Sequence, residues 1–442
     1  MQKVDTVIHA KWVLPIEPAG EVHTDYACVI DKGRIVALCK SDEAKSNYEP
    51  HNNIQLSEHV LLPGLINAHT HAAMSLFRGL ADDLPLMTWL NNYIWPAESK
   101  LVAPEFVNDG TTLAIAEMLR GGTTCFSDMY FFPDVTASVA SQLGIRGSIG
   151  MIVISFPSAW AANPAEYISK GLAVRDEYKY HPLLTFNFAP HAPYSVADET
   201  FSAIQTYADE LDTGIQMHIH ETPAEINDAL KDNACRPLTR LEKLGLLTPS
   251  LMAVHMTQLL DEEIARVSER GCHVIHCPES NLKLASGFCP VNELLKAGVN
   301  VALGTDGAAS NNDLDMFSEM RSAALLAKGV AQDAAALPAG QALRMATING
   351  ARAIGLEDQI GSIEVGKLAD IIAVRMDELE NLPLYNLPSQ IVYASNRRQV
   401  SDVWVAGERV LRQGELTNIN IDEVRDRTNF WQAKITREIS HA

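Results

Sequence analysis

Short apolar runs bounded by turn residues recur through the middle of this chain, each followed by enough sequence for a helix. They are Leu61–His69, Thr123–Met129, Gly147–Ile154, Leu183–Pro190, Gly214–His220, Leu251–Met256, His273–Cys277 and Val299–Thr305. The stretches between them have another period. Pro104–Arg120 is rich in Ala, Leu, Glu and Met and repeats apolar residues at i, i+3 and i+4, the pattern of a helix that buries one face. Eight strand and helix units over about 250 residues predict an α/β fold of the (β/α)8, or TIM barrel, type. The rival arrangement, an open doubly wound sheet, would spread its strand ends along an edge.

The flanks behave differently. Residues 4 to 40 alternate apolar and polar positions and place Asp31-Lys32-Gly33 between Ala27–Ile30 and Arg34–Leu38, a hairpin signature. Ala369–Val374 and Val403–Leu411 read in the same way. Residues 1–60 with 368–420 are therefore expected to build a small composite β-sandwich from both termini, residues 61–367 the barrel, and 421–442 a C-terminal surface helix.

Chemistry-bearing side chains gather at the C-terminal ends of the predicted barrel strands, where a barrel brings them to one mouth. His69 and His71 end the first run, and strand alternation points two imidazoles spaced in this way to the same face. His218 and His220 in Gln216–Glu221 also share a face, so spacing alone does not choose between them. Glu221, one residue on, has to turn inward where the strand ends to take part. Asp306 follows Val301–Thr305 and precedes Gly307; a carboxylate there serves as a hard metal ligand or as a helix cap. His255 after Met252–Val254 and His191 after Ala189-Pro190 complete the strand-end set. Histidines and a carboxylate converging on one point suit a Zn²⁺ ion that activates water, and a glutamate beside it can move a proton.

Charge and cysteine usage narrow the function class. The net charge of −20 opposes binding to nucleic acid or anionic lipid, so a small neutral or cationic substrate is expected. The seven cysteines are scattered and contain no CxxC pair, as in a reduced cytoplasmic protein. Asp5, His9 and Lys11 interrupt the apolar N-terminus, so neither a signal core nor a membrane span is predicted there.

Taken together, Leu62–His71, His218-Ile219-His220-Glu221-Thr222, His276–Leu284, Gly304–Asn312 and Gly361–Asp370 resemble the amidohydrolase superfamily, and within it the deaminases of 5′-methylthioadenosine and S-adenosylhomocysteine. The likeness covers almost the whole chain. It implies a metal-dependent hydrolase barrel holding one Zn²⁺ per subunit on His69, His71, His218 and Asp306; Fe²⁺ or Mn²⁺ also suits such a nitrogen-rich site. It implies that Glu221 protonates the purine ring nitrogen beside the reacting carbon, that His255 and Asp306 orient and deprotonate the water, and that Glu98 and His191 contact the substrate.

It further implies a purine nucleoside substrate and a homo-oligomer. Where some relatives carry arginines after the third strand for an amino-acid carboxylate, this chain has Gly150 and then Phe156–Trp160, which favours methylthioadenosine. Two other functions are weighed. One is a deaminase or chlorohydrolase of another ring such as a triazine, guanine or cytosine, distinguished by whether Glu98 matters to the substrate. The other is a catalytically inactive amidohydrolase-like scaffold, set against the complete ligand set.

Overall fold

The computed structural model describes residues 1–439. Eight parallel strands in sequential order form one sheet: β5 (Leu65–Thr70), β6 (Thr123–Tyr130), β7 (Arg146–Val153), β8 (Leu184–Pro190), β9 (Ile215–Ile219), β10 (Leu251–His255), β11 (His273–His276) and β12 (Asn300–Leu303). Almost every residue of these strands is buried, as expected where helices cover a parallel sheet. The helix predicted at Pro104–Arg120 has those bounds, opens on its proline and buries Phe106, Val107, Ala114, Ile115, Met118 and Leu119.

The first and last strands meet through side chains and backbone together. Asn67 Nδ2 donates to Thr305 Oγ1 at 2.7 Å, Thr305 N donates to Asn67 Oδ1 at 3.0 Å, and Asp306 N donates to the His69 carbonyl at 3.0 Å. Gly304 permits the approach: a Cβ there would sit 2.8 Å from both the backbone N and O of His69. The edges of the sheet thus come together as in a barrel, and the strand ends face one mouth.

Strands from both termini form the second sheet, again of eight strands: β1 (Gln2–Val13), β2 (His23–Asp31), β3 (Arg34–Lys40), β4 (Tyr48–Pro63), β13 (Ile371–Arg375), β14 (Val400–Val405), β15 (Glu408–Arg412) and β16 (Glu415–Leu416), in the order β16-β15-β14-β13-β4-β1-β2-β3. The run expected as one strand over Leu61–His69 is in fact two. Leu61–Pro63 belongs to β4 and pairs with β13, whereas β5 begins at Leu65. The chain changes sheets at Gly64, whose N donates to Asp370 O at 2.9 Å, and any Cβ there would lie 2.0 Å from Thr124 Oγ1. Hydrophobicity was continuous across this junction because both sheets bury it.

Asp370 also joins the two bodies electrostatically. Arg146 at the start of β7 donates from Nε to Asp370 Oδ2 at 2.8 Å and from Nη2 to Oδ1 at 3.0 Å, with both side chains almost wholly buried. The C-terminal helix, Ile421–Ile439, docks by Trp431, which is 1% exposed and whose Nε1 donates to Asp109 Oδ2 at 2.7 Å. The part of the expected C-terminal segment at 440–442 lies outside the described residues.

Candidate active site

The side chains of His69, His71, His218 and Asp306 put their ligand atoms within 4.8 Å of one another. The Nε2 atoms of His69 and His71 lie 3.3 and 3.2 Å from Asp306 Oδ1, and His218 Nε2 is 3.2 Å from His69 Nε2. These three separations are close to the distance, about 3.3 Å, between two donors that each bond one zinc ion at 2.0–2.1 Å, and the other donor pairs lie no more than 4.8 Å apart, so a single ion can reach all four.

The outer nitrogen of each imidazole faces an acceptor. His69 Nδ1 meets Gln216 Oε1 at 2.8 Å, His71 Nδ1 the Met129 carbonyl at 2.5 Å, and His218 Nδ1 the His191 carbonyl at 2.8 Å. A carbonyl oxygen only accepts, so in the neutral imidazoles each Nδ1 holds the proton and each Nε2 lone pair is aimed inward. Converging lone pairs repel unless a cation lies between them, and the donor set therefore fits a divalent metal.

Asp306 is held just as firmly. Its Oδ2 accepts from Ser280 Oγ at 2.6 Å and Ser310 Oγ at 2.8 Å, which leaves Oδ1 toward the histidines. His255, the last residue of β10, has Nδ1 against Asn281 Oδ1 at 2.9 Å, and its Nε2 is 3.8 Å from Glu221 Oε2. Burial, and next the charge of Asp306, pushes the Glu221 carboxyl up to about 8, so it carries a proton at neutral pH. Burial first, then the neighbouring His71 and His69, drives His191 down to about 3 and keeps it uncharged; its Nδ1 lies 2.9 Å from Ser195 Oγ.

The ambiguity between His218 and His220 is resolved by the backbone. Strand β9 stops at Ile219, and His220 takes a left-handed φ of 55° that breaks the alternation. The His220 ring turns away from the site and its Nε2 accepts from Leu238 N at 3.2 Å, while Glu221 swings inward. Positive φ recurs at two more of the site residues, 76° at His255 and 59° at Asp306. Non-glycine residues held there cost on the order of 1–3 kcal/mol each, a pattern concentrated at active sites.

Above this floor lies a cavity of about 340 Å³ lined by His71, Glu98, His191, His218, Glu221, His255 and Asp306. His69 is fully buried beneath it. All the residues predicted from sequence are thus in one place, Glu98 included, although Glu98 lies on the helix Trp95–Leu101 and not at a strand end. Glu98 Oε1 accepts from Tyr130 OH at 2.7 Å; burial raises its carboxyl to about 7 while that hydrogen bond opposes the rise. The remaining wall is mostly apolar, with Trp95 and Phe156 edge to face at 6.5 Å, and among the described residues no lysine or arginine lines it.

Sequence reasoning assigned no role to Gln216, Ser280, Asn281, Ser310 or Tyr130. Four of the five stand inside stretches already singled out, but their roles depend on partners as far as 147 residues away, as for Gln216 and His69.

The profile of the amidohydrolase family matches residues 60–410. A protein of Teredinibacter turnerae named 5-methylthioadenosine/S-adenosylhomocysteine deaminase is 50% identical over 432 residues, covering 98% of both chains. One of the same name from Saccharophagus degradans is 48% identical, covering 98% of this chain and 97% of its own. Among solved structures, an adenosine deaminase from Xanthomonas campestris with bound zinc superposes with a TM-score of 0.98 at 50% identity over 99% of each chain. An atrazine chlorohydrolase from Arthrobacter aurescens, also with zinc, shares the fold with a TM-score of 0.90 at 23% identity over 97% of this chain and 100% of its own.

Proposed function

The chain belongs to the amidohydrolase family, and from that premise we propose that it is a zinc-dependent deaminase converting 5′-methylthioadenosine and water to 5′-methylthioinosine and ammonia. The observation that carries the reading is the joining, at one cavity, of the His69, His71, His218 and Asp306 group with Glu221 and Glu98. Metal-replete protein is expected to convert the adenine absorbance of methylthioadenosine to that of hypoxanthine, and chelation to stop the conversion until Zn²⁺ is restored. A metal-replete protein without turnover overturns the reading.

A bound metal polarises water and stabilises the negative charge that builds during attack. The protein groups do the rest. Asp306, with Oδ2 held by Ser280 and Ser310, offers Oδ1 as the acceptor of the water proton. His255, fixed by Asn281, orients that water. Glu221 gives its proton to the ring nitrogen next to the reacting carbon, which makes C6 electrophilic; the water proton taken by Asp306 passes to the exocyclic nitrogen, and ammonia departs as the new C6 hydroxyl returns its proton to Glu221. His191, uncharged, contacts the purine, and Glu98 accepts from the ribose hydroxyls.

The role of Glu98 yields a discriminating experiment. Glu98→Gln is expected to raise KM for methylthioadenosine about tenfold, the worth of a charge-assisted hydrogen bond, and to leave any activity on free bases alone. Equal effects on nucleosides and free bases would instead support a ring hydrolase indifferent to ribose.

Substrate choice follows from charge. Gly150 cannot be replaced by an arginine in place, because its Cβ would lie 2.4 Å from Asp128 O and 2.9 Å from Ala189 Cβ. Without a cation in the wall, the carboxylate of S-adenosylhomocysteine lacks a charge-assisted partner of about 1.5–3 kcal/mol. kcat/KM for methylthioadenosine should exceed that for S-adenosylhomocysteine by ~10-fold or more; parity between the two substrates contradicts this account.

The proposal includes a cytoplasmic homo-oligomer. No helix among the described residues is long and apolar enough to cross a membrane, and light scattering of the purified protein tests its assembly.

A further inference from the structure

The catalytic reading asks more of Glu221 than its place in the sequence supplies. A residue two beyond the end of β9, after a left-handed His220, has no strand ladder to hold it. Yet both of its backbone polar groups are occupied by side chains from other elements. Glu225, in the first turn of the helix Pro223–Asn233, accepts from Glu221 N at 2.7 Å through Oε2 and from His220 N at 3.0 Å through Oε1. Thr257, just beyond β10, donates from Oγ1 to the Glu221 carbonyl at 2.7 Å. Thr257 N donates to the His220 carbonyl at 3.0 Å, so the same residue holds both peptides of the turn. Glu225 and Thr257 are each only 8% exposed, which keeps water from replacing either contact.

From this geometry we infer that Glu225 and Thr257 are positioning residues for proton delivery: they grip the N–H and the C=O of Glu221 and thereby aim its carboxyl at the purine ring. Neither has to touch the substrate. The left-handed conformation at His220 is unfavourable for a residue with a side chain, and two N–H groups converging on one carboxylate supply the interaction that keeps it. An ordinary helix cap does not require this arrangement, because Thr222 Oγ1 already accepts from Glu225 N at 3.3 Å and caps the same helix. The Glu225 carboxylate is spent on the turn that precedes the helix.

The inference rests on the deaminase reading, and the test separates the two. If the unaltered protein fails to deaminate methylthioadenosine, the functional reading falls; the inference is examined only against an active parent. Glu225→Gln replaces one acceptor oxygen by an NH2 group that faces an N–H. Thr257→Val keeps the side-chain shape and removes the donor, while Thr257→Ser keeps the hydroxyl. Displacing a catalytic group by about 1 Å costs ~100-fold, so Thr257→Val and Glu225→Gln are each expected to lower kcat ~10- to 100-fold. KM should stay within about twofold and bound zinc should not change.

Affinity for a nucleoside analogue with a hydroxyl-bearing tetrahedral carbon at ring position 6 should fall in step with kcat/KM, while affinity for 5′-methylthioinosine holds. Thr257→Ser is expected to restore turnover relative to Thr257→Val. In a Glu221→Gln background either substitution should cost little more, because the group being aimed is already disabled. Losses that multiply fully in that background, a rise in KM at unchanged kcat, or loss of zinc would overturn the inference. Should Glu225→Gln fail to fold, the Thr257 pair still decides the matter.

Discussion

Glu221→Gln protein is expected to bind zinc as the parent does and to deaminate methylthioadenosine ~10²- to 10⁴-fold more slowly, the range associated with a positioned general acid. Glutamine keeps the size of the side chain and its seat between His255 and the cavity, but has no proton to deliver at neutral pH. The metal ligands are untouched, so metal content separates this loss from collapse of the centre. The parent should also show the signature of the missing proton. With the carboxyl pushed up to about 8, chiefly by burial, the acid form is present below that pH and disappears above it. kcat/KM should therefore decline as pH rises through about 8, and the variant should lack that limb. An active variant with an unchanged profile would remove Glu221 from proton transfer.

A second large effect is expected far from the chemistry. Asp370→Ala should destabilise the protein by about 3–5 kcal/mol, because Arg146 would keep its charge in a buried site without its partner. Asp370 Oδ1 also accepts from Ala406 N at 2.7 Å, so the substitution leaves a backbone N–H in the turn between β14 and β15 without its acceptor as well as breaking the ion pair. The measurement is the shift in urea midpoint at constant slope. Replacing both members, as in Arg146→Met with Asp370→Leu, should recover much of the loss, since apolar pairs of similar volume often match a buried ion pair. An unaltered midpoint for Asp370→Ala would show that the pair contributes nothing to joining barrel and sheet.

These predictions draw on information of two kinds. The period of the apolar runs was enough to place the barrel strands, since a parallel strand covered on both faces is written into local composition. The same continuity concealed the break at Gly64, because the residues on either side are buried in different sheets and look alike in sequence. His69, His71 and Asp306 were legible from residue type at strand ends. Choosing His218 over His220 was not, because alternation gave both the same face and only the resemblance to known deaminases favoured one. Glu98 was equally opaque: on a helix near Ser99 and Lys100 it reads as a solvated carboxylate, and its contact with Tyr130 comes from another element.

The sequence by itself determined the alternation of barrel strands and helices, the gathering of histidines and a carboxylate at strand ends, and what metal chemistry such groups can support, because those properties depend on residue type and on periods of two or about 3.6. The tertiary structure alone decided where each of those side chains points. That depends on the sign of φ at His220, His255 and Asp306, and on hydrogen bonds with Gln216, Ser280, Asn281, Glu225 and Thr257. Gln216 lies on β9, but the others lie on the helices Pro278–Lys283 and Pro223–Asn233 or just beyond β10, and the packing of these segments around the barrel mouth brings them together.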